Sequence, residues 1–202
     1  DVAIVFYNKA LELLPESPEL LCNLGLAKQR LGLISEAAKI YKKILRDRPD
    51  FGQALSNLGT TFYQFGDYKK ALELFRKALD TAPENNTFLA NIGMSCAAIG
   101  DFCESINAYL KVVSVNPFCP DIRSSLARSY LMVGDYEKGW NLYESRMQSI
   151  LAPTCHALIS PTLTDLSHLK YDNSNSFLIL GEGGYGDIFH FMRYCKHIKK
   201  LG

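Results

Sequence analysis

The sequence predicts an all-α fold: a right-handed superhelical solenoid of helix hairpins, followed by a short C-terminal β-strand, glycine loop and helix. Three periodicities carry that prediction. Pro15, Pro49, Pro83 and Pro117 each follow the last by 34 residues. Tyr7, Tyr41, Phe75, Tyr109 and Tyr143 keep the same interval, and so do Gly32, Gly66, Gly100 and Gly134. A fixed period of this length is the signature of stacked repeats rather than of one closed core. No single hairpin can cover its own apolar face, so neighbours must stack.

The register gives a solenoid over residues 1–150: a leading half repeat (1–17), repeats at 18–51, 52–85 and 86–119, and a last one at 120–151. In each repeat the first helix carries apolar residues on one face, as Leu55, Leu58 and Phe62 do at i, i+3 and i+7. A small residue, Gly25, Gly59, Gly93 or Ala127, lets the second helix approach closely. The glycine before Asp67, Asp101 or Asp135 ends the first helix, where a left-handed residue is favoured. The second helix then buries a set such as Ala71, Phe75 and Ala78, and stops before a proline that cannot continue the hydrogen bonding. In the last repeat Arg146 replaces the usual small residue and Leu151 stands where proline is due, which marks a cap or a junction.

These positions match the tetratricopeptide repeat pattern, and the chain resembles that family over about residues 1 to 150. The resemblance implies that the first helix of every pair lines a concave groove holding a protein or peptide ligand. Two residues before the glycine the groove reads Asn23, Asn57 and Asn91, then Ser125. An asparagine amide can donate to a peptide carbonyl and accept from a peptide N–H at once. Repeated in register, it would grip an extended backbone with little regard for sequence, and the row is similar to the asparagine ladder of O-linked N-acetylglucosamine transferases. The alternative is that the asparagines stabilise each repeat locally. Gln53, Thr60, Met94 and Arg128 complete the expected groove set, with Tyr63 either in the groove or packing between repeats. The two-carboxylate clamp of chaperone-binding relatives is not expected, because Cys22, Leu26, Thr87 and Asn91 occupy its positions and none is basic.

The bulk numbers narrow the partners. Twenty-two basic and 21 acidic residues leave a net charge of +1, so neither nucleic acid nor an anionic membrane surface is an expected partner. Hydrophobic residues make up 48%, enough for a core, yet no apolar run is long enough to span a bilayer. There is no signal-peptide pattern. The six cysteines have no metal-ligand spacing and read as buried, reduced thiols of a cytoplasmic protein, with no metal and no cofactor expected. Association with a second copy of the chain is left open.

Residues 152–176 lose the period and accumulate Pro, Ser, Thr, Asn and Asp, as a linker does. Residues 177–202 then read as a Rossmann-like strand (Phe177 to Leu180), a glycine loop and a helix. Gly181, Gly183 and Gly186 fit a dinucleotide fingerprint, but no second strand follows to complete the unit. The Gly134-Asp135-Tyr136-Glu137 segment together with Gly186-Asp187 and Arg193-Tyr194 resembles tetratricopeptide proteins that carry a glycosyltransferase-like, heptosyltransferase-type domain. That resemblance implies Asp187 as a catalytic base and Gly184 and Gly186 as the binding loop, against the plainer reading of Asp187 as a residue favoured by a helix N-terminus. The expectation is therefore a peptide-binding scaffold. Its alternative is the acceptor-recruiting N-terminal part of such a glycosyltransferase, inactive in a chain that stops at Gly202.

Overall fold

A computed structural model of the chain describes residues 2–143. Among them are the helices α1 (Val2–Leu13), α2 (Pro18–Arg30), α3 (Ile34–Asp47), α4 (Gly52–Gln64), α5 (Tyr68–Thr81), α6 (Asn86–Ile99), α7 (Phe102–Val115), α8 (Pro120–Met132) and α9 (Tyr136–Tyr143). The first helices α2, α4, α6 and α8 start at residues 18, 52, 86 and 120, and the second helices at 34, 68, 102 and 136. Both series keep the 34-residue interval of the sequence.

Each hairpin is closed by one repeated turn. Gly32, Gly66, Gly100 and Gly134 have φ of 80°, 82°, 94° and 86°, the left-handed region in which a side chain is strained. At the α4 end the Gly66 N–H reaches the Tyr63 carbonyl at 3.0 Å and the Asp67 N–H reaches the Phe62 carbonyl at 3.0 Å. This pair of bonds satisfies the last carbonyls of the helix. Asp67 also starts the next helix, because its Oδ1 accepts from the Lys70 N–H at 3.1 Å. Asp101 and Asp135 cap α7 and α9 in the same way. Leu33, at the equivalent place before α3, makes no side-chain cap.

The core is a chain of small clusters rather than one centre. Tyr41, Phe75 and Tyr109 are buried on the second helices, and each lies against the glycine of its own first helix. A Cβ placed on Gly59 would stand 2.7 Å from the Phe75 ring. The close approach that the small residue was expected to permit is thus present, and any larger side chain would push the helices apart. Ala71, Phe75, Ile92, Cys96 and Ala108 form one cluster across three successive helices, with Tyr63 packed against it. Tyr63 is therefore a packing residue between repeats as well as a neighbour of the groove.

Consecutive first helices pack backbone against backbone, α2 with α4, α4 with α6 and α6 with α8, whereas the second helices stand further apart and α5 reaches α7 through side chains, as in the Arg76–Glu104 ion pair. A stack in which one row of helices is close and the other is spread must curve, with the close row inside. The concave surface of the described stack is consequently made by α2, α4, α6 and α8.

One sequence expectation needs correction. Cys22 and Cys96 are buried, but Cys103 is exposed and Cys119 is half-buried. Cys103 lies in the first turn of α7, on the side opposite buried Ser105, Tyr109 and Val112, so helical periodicity turns it to solvent. Cys155 and Cys195 lie outside the described residues.

Candidate functional site

The inner face of each first helix is set by three positions. Counting from the helix starts, these are Cys22, Asn23 and Leu26 on α2, and Ser56, Asn57 and Thr60 on α4. They continue as Ala90, Asn91 and Met94 on α6, and Ser124, Ser125 and Arg128 on α8. Residues three apart share a helical face, so the asparagines and the residues three beyond them form two parallel rows along the groove. Asn23, Asn57 and Asn91 are all half-buried, as are Thr60 and Met94, while Gln53 and Arg128 are exposed.

The asparagine amides are not idle. Asn91 Nδ2 donates to Ser56 Oγ at 3.2 Å, from α6 back to α4, across 35 positions. Gln29 Nε2 donates to Gln64 Oε1 at 2.9 Å, again across 35 positions. Asn57 is related to Cys22 by the same interval, and its amide acts on that thiol: burial pushes the Cys22 pKa up to about 12, Glu19 adds to the rise, and the Asn57 amide opposes it. Asn57 Nδ2 is itself buried and has no hydrogen-bond partner of good geometry. Asn57 and Asn91 thus each face a small polar group, Cys22 or Ser56, on the preceding first helix. This spacing, one repeat plus one residue, is the signal in the sequence that a search for exact 34-residue repeats passes over.

Thr60 Oγ1 turns back to the Ser56 carbonyl at 3.1 Å, so its hydroxyl proton is taken up inside its own helix. At the far end Arg128 Nη2 donates to Ser125 Oγ at 3.2 Å. The Arg128 charge is felt by two phenols. Burial raises the Tyr63 pKa, Tyr68 adds to the rise, and Arg128 opposes it. Burial also raises Tyr109, against which Ser125 and Arg128 both act. The rings of Tyr63 and Tyr68 lie 4.9 Å apart at 57°. Beside the groove's other end, a cleft of about 240 Å³ between α1 and α2 is lined by Ile4, Tyr7, Asn23, Leu26 and Arg30 among others.

Among the described residues no group of three or more His, Cys, Asp or Glu side chains comes together, and no helix is long and apolar enough to cross a membrane. Asp187, Gly184 and Gly186, with the whole strand–loop–helix segment and the 152–176 linker, lie outside the described residues. So do Arg146 and Leu151.

Comparison with known proteins supports the architecture. The tetratricopeptide repeat profile matches residues 22–86. No curated protein matches the chain. Among solved structures, MamA (41-end) from Desulfovibrio magneticus RS-1 is similar at 19% identity with a TM-score of 0.64, covering 75% of this chain and 85% of that one. TTC0263, a thermophilic TPR protein in Thermus thermophilus, is similar at 20% identity with a TM-score of 0.63, covering 72% and 80%. A second MamA crystal structure gives 20% and 0.63, covering 74% and 87%. At such identities the likeness speaks for the fold, and the described residues fold as a tetratricopeptide-repeat solenoid.

Proposed function

We propose that this chain is a binding scaffold that holds an extended polypeptide along the inner row of first helices. The observation that carries the reading is the register of Asn23, Asn57 and Asn91, half-buried on three successive inner helices in a lining of neutral groups. Amides on neighbouring helices, about 8–10 Å apart, can serve roughly every third peptide unit of a strand-like guest. The cross-repeat bond of Asn91 uses one of its two N–H groups and leaves the second, together with Oδ1, for a guest.

The test is selection of short synthetic peptides, capped at both ends, on the 202-residue chain. It is followed by affinity measurements on the double variant Asn57→Ala, Asn91→Ala. We expect the selected peptides to lose at least about tenfold in affinity, about 1.4 kcal/mol, from hydrogen bonds removed in a partly desolvated groove. Ser56→Ala serves as the control, because it removes the partner of Asn91 and spares the amide. If the double variant binds as tightly as the parent, the asparagines only join repeats and the reading fails.

A further inference from the structure

The two rows of residues along the inner face carry a single charge. In the row that passes three residues beyond the asparagines, Leu26, Thr60 and Met94 are uncharged and the row ends in Arg128. The asparagine row is uncharged throughout and ends in Ser125. Arg128 is exposed, and it forms no ion pair with any described residue; the ion pairs there are Lys28 with Glu36, Arg76 with Glu104 and Lys138 with Asp135. Its guanidinium is nevertheless held, by the Ser125 hydroxyl at 3.2 Å. Its charge also opposes the rise that burial gives the Tyr63 phenol on α4. A cation that is positioned, unpaired and next to a neutral groove is arranged to meet an anion that arrives with the guest.

We propose that Arg128, steadied by Ser125, anchors the carboxylate of an Asp or Glu side chain in the bound segment. The guest is then an extended chain that is otherwise uncharged, with its acidic residue over α8. The proposal rests on the groove-binding reading above and adds its specificity. A guanidinium fits a carboxylate with two parallel N–H···O bonds, and Ser125 fixes one edge of the fork so that less rotamer freedom is lost on binding. A phosphate would call for more than the single cation this row provides.

The experiment is the same peptide selection, run in parallel on the parent chain and on Arg128→Ala and Arg128→Glu. We expect parent-selected peptides to share one acidic position, Arg128→Ala to erase that preference, and Arg128→Glu to replace it with Lys or Arg. For one selected peptide, exchanging its acidic residue for the amide and changing Arg128 to Ala should each weaken binding by roughly three- to tenfold. The two losses should not add, as for groups in direct contact. Peptides that need Asn57 and Asn91 but show no acidic preference would overturn the anchor and leave the groove standing. A phosphoserine peptide that binds more tightly than its glutamate counterpart would overturn the carboxylate assignment. Failure to select any peptide would overturn both readings.

Discussion

Asp67, Asp101 and Asp135 each serve two helices: the backbone N–H closes one turn and the carboxylate caps the next. Leu33 has the same backbone role, its N–H bonding to the Lys28 carbonyl at 3.0 Å, but it leaves the first turn of α3 without a side-chain cap. Leu33→Asp should therefore stabilise the chain by about 1 kcal/mol, read as a higher urea midpoint at unchanged slope. An unchanged midpoint would mean that α3 gains nothing from a cap. The buried thiols give a second prediction at this scale. Burial raises Cys22 and Cys96 from 9.0 to about 12 in the folded chain. Below pH 9 both thiols are protonated whether folded or not, so stability is indifferent to them. Between pH 9 and about 12 the unfolded chain loses these protons and the folded chain keeps them, so stability falls as pH rises, by up to about 1.4 kcal/mol per unit for each thiol. Urea midpoints measured across that window should decline, and Cys22→Ala should make the decline shallower.

Within a hairpin, two glycines act through different physics. Gly59 has its Cβ space filled by the Phe75 ring at 2.7 Å, whereas Gly66 meets nothing within 4 Å and is constrained only by φ of +82°. Gly59→Ala should cost about 1–3 kcal/mol through overpacking and should be partly rescued by Phe75→Leu. Gly66→Ala should cost about 1–2 kcal/mol through backbone strain and gain nothing from that second change. Urea unfolding of the four variants separates the two cases. Both glycines were legible in the sequence, because each recurs at the repeat interval and each has a local reason. The bonds of Asn91 to Ser56 and Gln29 to Gln64 were not, since they join residues 35 apart on different hairpins and exist only once the stack has formed. The asparagine row could be read from position alone; what its amides touch could not. Arg128 was legible as a groove candidate, but its hold by Ser125 depends on side-chain direction.

Across the whole described stack, each hairpin meets only its neighbours, so stability is a sum of local interfaces rather than the property of one core. The interior hairpin of α4 and α5 is packed on both sides and buries Leu55, Leu58, Phe75 and Ala78, among others. By contrast, α1 contains no buried residue, and Val2, Val5 and Phe6 are exposed. Native-state hydrogen exchange should show α1 amides exchanging first and those of α4, α5 and α6 last. Uniform protection from end to end would contradict a stack held by nearest-neighbour interfaces.

The bonds between inner helices have a mechanical meaning. They tie first helix to first helix on the inside of the curve, where the stack shortens when it coils and lengthens when it opens. Asn91 and Ser56 form one rung of this tie, Gln29 and Gln64 another. Any change in the spacing of the inner helices therefore strains these same few hydrogen bonds. The stack then behaves as a spring whose stiffness is set along its inner edge.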